Sequence, residues 1–326
     1  MKKVNLTVLI TTFNCGNFIF AAINSILLQT FKDCELLIID DGSTDDTERV
    51  VNSIKDPRII YEKIEHVGRS TALNYGLKKS ANDWVALMDA DDICHPQRFE
   101  MQLKSTSFCE NEILISNSAA FAGEKILYQL INPSNLNDLK KLILLHGHIC
   151  NSTVIYNRNF IISNGGYSEL LSNSEDYDLW LRILNKAKFI NCGQILVYFR
   201  IRKDSYSRHN IKLTRQSIYQ LQKPFYHNLI EYSKIFDLKE HTKYLGWSEY
   251  FYGNSALARR YWRKLSIGII KDYRLFLAYI ISNLPPVLFS HLKELRIRYR
   301  LNYFWMYLKK ENRNLRNELS LLLKHE

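Results

Sequence analysis

Three acidic segments hold the side chains best suited to chemistry, and the first is Asp89-Ala90-Asp91-Asp92. Three carboxylates within four residues repel one another, so a nearby cation would be attractive. Carboxylate oxygens suit hard ions such as Mg²⁺ or Mn²⁺, and Mg²⁺ typically takes one or two carboxylates while substrate phosphates complete its shell. A solvated acidic loop that precedes a helix explains the same residues equally well. The segment alone therefore leaves both interpretations open.

The other two acidic segments also allow a structural and a functional interpretation. Residues 40–45 read Asp-Asp-Gly-Ser-Thr-Asp, which is typical of a turn followed by a helix N-cap. An Asp at a strand end could in addition accept a hydrogen bond from the imide N–H of a base. Residues 174–182 begin Ser-Glu-Asp and are typical of an acidic first helical turn. Asp176 could instead serve there as a general base whose position the helix fixes.

The elements that must position these residues follow from hydrophobic patterning. Residues 4–10, 35–40 and 84–88 are predicted as strands buried on both faces, and residues 58–61 and 113–115 are weaker strand candidates. Helices are predicted over residues 18–27, 72–77 and 96–108. This alternation predicts an α/β fold, a mostly parallel sheet with helices on both faces. Because ligands of such sheets bind beyond the carboxyl ends of the strands, residues 11–14, 40–43 and 89–92 are expected to lie together.

Charge divides the chain into two predicted domains. Residues 1–205 contain 22 Lys and Arg against 24 Asp and Glu, whereas residues 206–326 contain 22 against 9. Strand patterns fade near residue 206, so we predict a catalytic domain over 1–205 and a basic, aromatic-rich helical region over 206–326. Such an asymmetry indicates an anionic partner for the second region, either a membrane surface or nucleic acid, although a solvated basic domain is an alternative. No recognisable nucleic-acid-binding motif is present, so the membrane is favoured.

Residues 287–316 are predicted to form a helix that lies in the membrane interface. They carry eight Lys and Arg against two Glu, interleaved with aromatic and aliphatic residues. The longest uncharged apolar stretch of the second half, residues 275–290, has 16 residues, whereas a spanning helix needs about 20. The six cysteines form no Cys-x-x-Cys pair, which favours reduced thiols in the cytoplasm. We therefore expect a cytoplasmic protein, peripheral on the inner face of the cytoplasmic membrane; packing of residues 287–316 on protein is the alternative.

Five segments together resemble the bacterial cell-surface polysaccharide type of family 2 glycosyltransferases, the inverting family with the GT-A (nucleotide-diphospho-sugar transferase) fold. The segments are residues 8–14 (Val-Leu-Ile-Thr-Thr-Phe-Asn), 29–31 (Gln-Thr-Phe), 35–45 (Glu-Leu-Leu-Ile-Ile-Asp-Asp-Gly-Ser-Thr-Asp), 88–92 (Met-Asp-Ala-Asp-Asp) with Pro96, and 165–167 (Gly-Gly-Tyr) with 175–182 (Glu-Asp-Tyr-Asp-Leu-Trp-Leu-Arg). Their order and spacing make chance a poor explanation. The resemblance runs from residue 8 to about residue 207.

The resemblance implies a role for each matching residue. The nucleotide subsite would comprise Thr11, Phe13, Asp40, Asp41, Arg69 and Asp89. Asp89 and Asp91 match the Asp-x-Asp signature that meets a divalent metal, Mn²⁺ or Mg²⁺, and the donor diphosphate. Asp176 matches the catalytic base, with Glu175 as its companion. The implied reaction moves one sugar from a nucleotide-diphosphate donor, expected to be a UDP-sugar, to a hydroxyl of a glycan or lipid-linked saccharide.

Two departures from the family pattern and two other functions complete the expectations. His66 stands where the family usually has Asn, and Arg200-Ile201-Arg202 replaces an Arg-x-His pattern, so Arg202 could supply the missing charge. A sugar-phosphate nucleotidyltransferase would need a Gly-rich phosphate loop with a basic residue near the first strand. A catalytically silent nucleotide-sugar-binding scaffold would have lost the base or the metal carboxylates. The chain lacks such a Gly-rich loop, and it keeps the carboxylates that match the base and the metal ligands.

Overall fold

The computed structural model describes residues 5–146, 149–171, 173–202, 211–227, 238–251, 253–265 and 273–283, together with 308, 309, 319 and 323. Across these residues the strands are β1 (Leu6–Thr12), β2 (Cys34–Asp40), β3 (Ile59–Lys63), β4 (Trp84–Asp89), β5 (Ile93–Cys94), β6 (Glu112–Ala122), β7 (Lys125–Leu130), β8 (Ile155–Asn157), β9 (Lys188–Arg200) and β10 (Leu308–Lys309). The helices are α1 (Ile19–Leu27), α2 (Thr47–Ser53), α3 (Arg69–Lys79), α4 (Arg98–Lys104), α5 (Leu136–His146), α6 (Arg158–Ser163), α7 (Glu175–Ile183), α8 (Ile211–His227), α9 (Leu238–Phe251), α10 (Ser255–Arg263) and α11 (Tyr273–Ser282).

One mixed sheet organises the first compact unit, which comprises residues 1–139, 148–205 and 307–326. Strands β3, β2, β1 and β4 are neighbours in that order and run parallel. The sheet continues through β8, β6, β7 and β10 with antiparallel pairing, while β9 pairs in parallel with β6 and antiparallel with β5. The predicted α/β fold class is confirmed, and the antiparallel extension was not predicted.

Helices cover both faces of the parallel strands, as the side chains of β1 demonstrate. Val8 and Ile10 belong to the same buried cluster as Ile23 of α1. Leu9 points to the opposite face, because side chains alternate along a strand. There it meets Gly76 of α3, where a Cβ would lie 2.4 Å from Leu9 Cδ1, so glycine permits this close helix–strand approach.

A buried arginine ties the end of β4 to helix α4. Arg98 is fully buried, donates from Nη2 to the carbonyl of Leu87 at 3.0 Å and from Nε to Gln102 Oε1 at 3.0 Å. Gln102 in turn donates to the carbonyl of Thr153 at 2.7 Å. These bonds satisfy the buried polar groups and fix the segment that precedes the Asp89–Asp92 loop.

The second compact unit, residues 140–147 and 206–306, is helical where it is described. Trp247 and Tyr250 of α9 pack against Trp262 of α10, and the Trp247 and Trp262 rings lie 5.2 Å apart. Leu275 and Ala278 of α11 complete this core. In the described part of the chain, no helix combines the length and apolar character that a bilayer crossing requires.

The predicted interfacial helix over residues 287–316 falls mostly outside the described residues. Leu308 and Lys309 are described and pair as strand β10 with Leu130 and Gln129 of β7. A helix is therefore wrong at these two positions, because their backbone groups are satisfied by a sheet edge. The division into a catalytic domain and a membrane-associating region stays a prediction.

Candidate active site

The strand ends bring the predicted nucleotide residues to one edge of the sheet. Because β1 lies between β4 and β2, Thr11 pairs in register with Asp89 on one side and with Ile39 on the other. Asp40 ends β2, and Asp41 follows it. The expected cluster beyond the carboxyl ends of the strands is therefore present in the structure.

The two neighbouring acids Asp40 and Asp41 are both buried and serve different contacts. Asp40 accepts from the Ser43 backbone N–H at 2.8 Å and from the Tyr61 hydroxyl at 2.6 Å. These bonds hold the turn after β2, so Asp40 supports the backbone that carries Asp41. Asp41 Oδ1 accepts from the backbone N–H of Val67 at 2.8 Å, and its Oδ2 lies 2.8 Å from His66 Nδ1.

Phe13, directly after β1, presents an aromatic ring at the same edge. Its side chain is 43% exposed, and it stacks on the His66 ring with centroids 4.2 Å apart and planes 18° apart. Sequence reasoning identified Phe13 and noted the unusual His66, but it did not predict the stack. The stack depends on how residues 65–68 pack against the turn after β2.

The three carboxylates of the Asp89–Asp92 loop have three different environments. Asp89 Oδ1 accepts from Arg69 Nη2 at 2.6 Å, and Asp91 Oδ2 lies 3.3 Å from Arg202 Nη1. Burial and the nearby Asp89 charge raise the pKa of Asp91. Asp92 is buried and accepts from Ser152 Oγ at 2.5 Å and from the Arg200 backbone N–H at 2.9 Å. Asp92 therefore fixes the loop, and Asp89 and Asp91 are left as candidate ligands.

Asp89 and Asp91 fit the ligand set of a Mg²⁺ or Mn²⁺ ion. Both side chains are about one quarter exposed and contribute only oxygen, the preferred donor of these hard ions. Within the described residues, no group of three or more His, Cys, Asp or Glu is arranged to hold a metal. Two carboxylates would thus need further oxygens, and donor phosphates are the natural source.

Helix α7 presents the predicted base at its first turn. Ser174 precedes the helix in the left-handed conformation at φ 60°, and Glu175 and Asp176 open it. Arg182 anchors the helix by pairing with Asp178 at 2.8 Å and donating to the Gly166 carbonyl at 2.6 Å. The acidic first turn is thereby held in one orientation.

One arginine links the first turn of α7 to the Asp89–Asp92 loop. Arg69, at the start of α3, donates from Nε to Glu175 Oε1 at 2.9 Å while its Nη2 contacts Asp89. Burial and the Glu175 charge raise the pKa of Asp176 to about 7, although Arg69 opposes the shift. A carboxylate with a pKa near neutrality is suited to proton abstraction.

The Arg200–Arg202 segment supplies cationic groups beside the same loop. Arg202 pairs with Asp91 and lies over the Phe18 ring at 4.6 Å. Arg200 Nε donates to the Asp91 carbonyl at 2.9 Å. Charge from Arg202 at this position was an expectation from the sequence, and the structure brings the side chain there.

Ser152 contacts the candidate site and was not predicted from the sequence. It lies in the short 3-10 helix Asn151–Thr153, where its Oγ accepts from the Asp89 backbone N–H at 3.1 Å and donates to Asp92. No motif in the surrounding sequence identifies it, because its role depends on β8 pairing next to β4.

Comparisons with known proteins agree with this geometry. The model of the Glycosyl transferase family 2 matches residues 7–205. An Escherichia coli protein, UDP-Glc:alpha-D-GlcNAc-diphosphoundecaprenol beta-1,3-glucosyltransferase WfaP, is 34% identical over 218 residues, covering 65% of this chain and 84% of that protein. An uncharacterized glycosyltransferase of Rickettsia conorii is 30% identical over 71% of this chain, which spans only 39% of the length of that protein.

Solved structures share the fold at low sequence identity. TarS residues 1–349 of S. aureus, in complex with UDP, has a TM-score of 0.56 at 16% identity, covering 92% of this chain and 93% of that chain. The mannosyltransferase PcManGT of Pyrobaculum calidifontis, in complex with GDP-Man and Mn²⁺, has a TM-score of 0.57 at 14% identity, covering 99% and 86%. At such identities these likenesses establish the fold alone.

Proposed function

This chain belongs to glycosyl transferase family 2, and from that premise we propose that it moves one sugar from a UDP-sugar to an acceptor hydroxyl with inversion, in cell-surface polysaccharide biosynthesis. The observation that carries the proposal is the Arg69 bridge. One guanidinium contacts both Asp89, a proposed metal ligand, and Glu175, the neighbour of the proposed base. The bridge supports a single site in which donor phosphate and acceptor hydroxyl meet.

Asp176 is proposed to act as the general base. Its carboxylate would take the proton of the acceptor hydroxyl while the oxygen attacks the anomeric carbon and the sugar–phosphate bond breaks. In-line attack by the acceptor in one step inverts the anomeric configuration. Glu175, held by Arg69, would keep the local charge balanced and the base helix in place.

Asp89 and Asp91 would hold the divalent metal, with Arg69 and Arg202 beside them. When bound, the metal neutralises the leaving diphosphate and orients it. The two guanidinium groups would place further positive charge next to the phosphates. In a partly buried site this charge would stabilise the negative charge of the leaving diphosphate.

The pH dependence of turnover follows from the pKa of Asp176. Because its pKa is raised to about 7, the carboxylate is protonated and inactive as a base at lower pH. We expect kcat/KM to fall about tenfold per pH unit below pH 7 and to level off above it. A rate profile between pH 5 and pH 9 measures this, and a profile that is flat down to pH 5 would argue against Asp176 as the base.

We propose that the donor nucleotide carries uracil as its base. Phe13 offers a ring face, and Asp41 offers a carboxylate that could accept the imide N–H of uracil. The E. coli relative is named for a UDP-Glc donor and the TarS structure holds UDP, which supports the same base.

Thermal stabilisation by nucleotides tests the donor. With Mn²⁺ present, UDP at 100 times its Kd should stabilise the protein by about 2.7 kcal/mol, whereas GDP and CDP at the same concentration should have little effect. Stabilisation by GDP or CDP without stabilisation by UDP would overturn the uracil donor.

The acceptor is proposed to be a lipid-linked saccharide at the cytoplasmic membrane surface. The name of the E. coli relative includes a diphosphoundecaprenol acceptor. On α10 of this chain, Arg260 and Arg263 are exposed, which adds basic charge to the second unit. Flotation of the whole chain with anionic and neutral vesicles at low and high salt tests the membrane part; binding to neither kind of vesicle would refute it.

A further inference from the structure

The His66 side chain makes the kinds of contact expected of a nucleotide base: a ring stack and a hydrogen bond from a ring nitrogen. Its ring stacks on Phe13. Its Nδ1 lies 2.9 Å from the Asp41 carbonyl oxygen and 2.8 Å from Asp41 Oδ2. Both oxygens can only accept a hydrogen bond, so Nδ1 carries the proton and donates.

The backbone around His66 is held in place, whereas its ring is accessible. A Cβ on Gly42 would lie 2.9 Å from the His66 backbone nitrogen, so the turn after β2 packs directly on this segment. Val67 and Gly68 donate their backbone N–H groups to Asp41. The His66 side chain is nevertheless 58% exposed, which leaves room for rotation about its side-chain bonds without moving the loop.

An imidazole in this position reproduces the proposed contacts of uracil. Uracil would stack on Phe13 and donate its imide N–H to Asp41, and the His66 ring already does both. Two flat rings cannot occupy the same face of Phe13 at a centroid distance of 4.2 Å.

We propose that the His66 ring and uracil compete for the same place against Phe13 and Asp41, so that UDP binding displaces the ring. The inference rests on the proposed function, since it takes Phe13 and Asp41 as the base subsite. In that place the His66 ring makes the contacts with the Asp41 carboxylate and the Phe13 ring that we propose for uracil.

Displacement lowers the apparent affinity for the donor. If the nucleotide binds only to molecules in which the His66 ring has left Phe13, its apparent Kd equals the intrinsic Kd divided by the fraction of such molecules. Removing the His66 ring should therefore tighten nucleotide binding, whereas a ring that merely extended the stacking surface would weaken binding on removal. The direction of the change distinguishes the two roles.

Calorimetric titration of UMP and UDP, with Mn²⁺, into the wild type, His66→Ala and Val67→Ala tests the proposal. We expect His66→Ala to lower both Kd values by about three- to tenfold, by the same factor for UMP and UDP because the effect lies at the base. Val67→Ala is the matched control from the same segment, since it keeps the backbone N–H bond to Asp41 and should leave both values unchanged. The melting temperature of each variant verifies folding.

NMR of the wild type gives a second measurement that needs no variant to bind. The His66 Hε1 resonance, assigned by its absence in His66→Ala, should move on addition of UMP as the ring leaves Phe13. Unchanged or weaker binding by folded His66→Ala, or an unmoved resonance at saturating UMP, would overturn the displacement and leave the proposed donor standing. Absence of UMP and UDP binding to both folded proteins would instead overturn the uracil donor and this inference together.

Discussion

Replacing Asp176 with Asn is expected to lower kcat by about 10³-fold while changing the Kd for UDP by less than about threefold. The substitution preserves the size of the side chain and removes its capacity to take a proton. In the structure Asp176 is partly buried in the first turn of α7, and the Arg69 bridge keeps its neighbour Glu175 in place. Steady-state kinetics and UDP titration measure the two quantities separately.

Asp178→Asn is the matched control for this experiment. It removes the same charge from the same helical turn, but Asp178 pairs with Arg182 and takes no part in the proposed chemistry. We expect its kcat to stay within a few fold of wild type, because the Asn side-chain oxygen can still accept from Arg182 Nε and Arg182 keeps its bond to the Gly166 carbonyl. If Asp176→Asn and Asp178→Asn behaved alike, the assignment of the base would be wrong.

Replacing Asp91 with Ala is expected to lower transfer by about 100-fold or more and to make UDP binding independent of Mn²⁺. Asp91 is one of only two candidate carboxylate ligands among the residues that the structure describes around this loop. Arg202 would remain beside the loop, but its guanidinium cannot take the place of the proposed divalent ion. The fold should persist, because Asp92 makes the buried bonds that fix the loop.

Asp83→Ala provides the control for Asp91→Ala. Asp83 stands just before β4, at the opposite end of the strand from the site, and its side chain is 64% exposed. The affinity of the Asp83→Ala protein for UDP should depend on Mn²⁺ as it does in the wild type. Full wild-type activity in excess chelator would exclude the proposed metal requirement.

The sequence predicted β1, β2 and β4 because these strands are mainly apolar runs, whereas β3 was only a weak candidate. The apolar runs stop at Ile39 and Met88, one residue before the strands end at Asp40 and Asp89, so the polar positions at the strand ends were also identified. Strand β9 was missed because its 13 residues include Cys192-Gly193-Gln194, and much of the strand is partly exposed. Its pairing with β6 joins residues about 76 positions apart, as in Glu112 opposite Lys188, and no local pattern records such a pairing.

The candidate site shows the same distinction between local and long-range information. Asp89, Asp91 and Asp176 belong to short segments whose composition left two interpretations open, and the resemblance to the family favoured the functional one. The Arg69 bridge and the Ser152 contacts depend on how α3, α7 and the 3-10 helix pack, which a linear pattern does not contain. The environment of Asp92 is also a tertiary property, since its partners are 60 and 108 positions away along the chain.

The stereochemistry of the first-formed product tests the central claim most directly. Wild-type protein with Mn²⁺ and an α-linked UDP-sugar can be followed by proton NMR, reading the anomeric signal of the released or transferred sugar before mutarotation. A single attack assisted by Asp176 predicts the β-anomer as the first product, and Asp176→Asn should suppress its formation. An α-anomer as the first product would contradict the proposed mechanism.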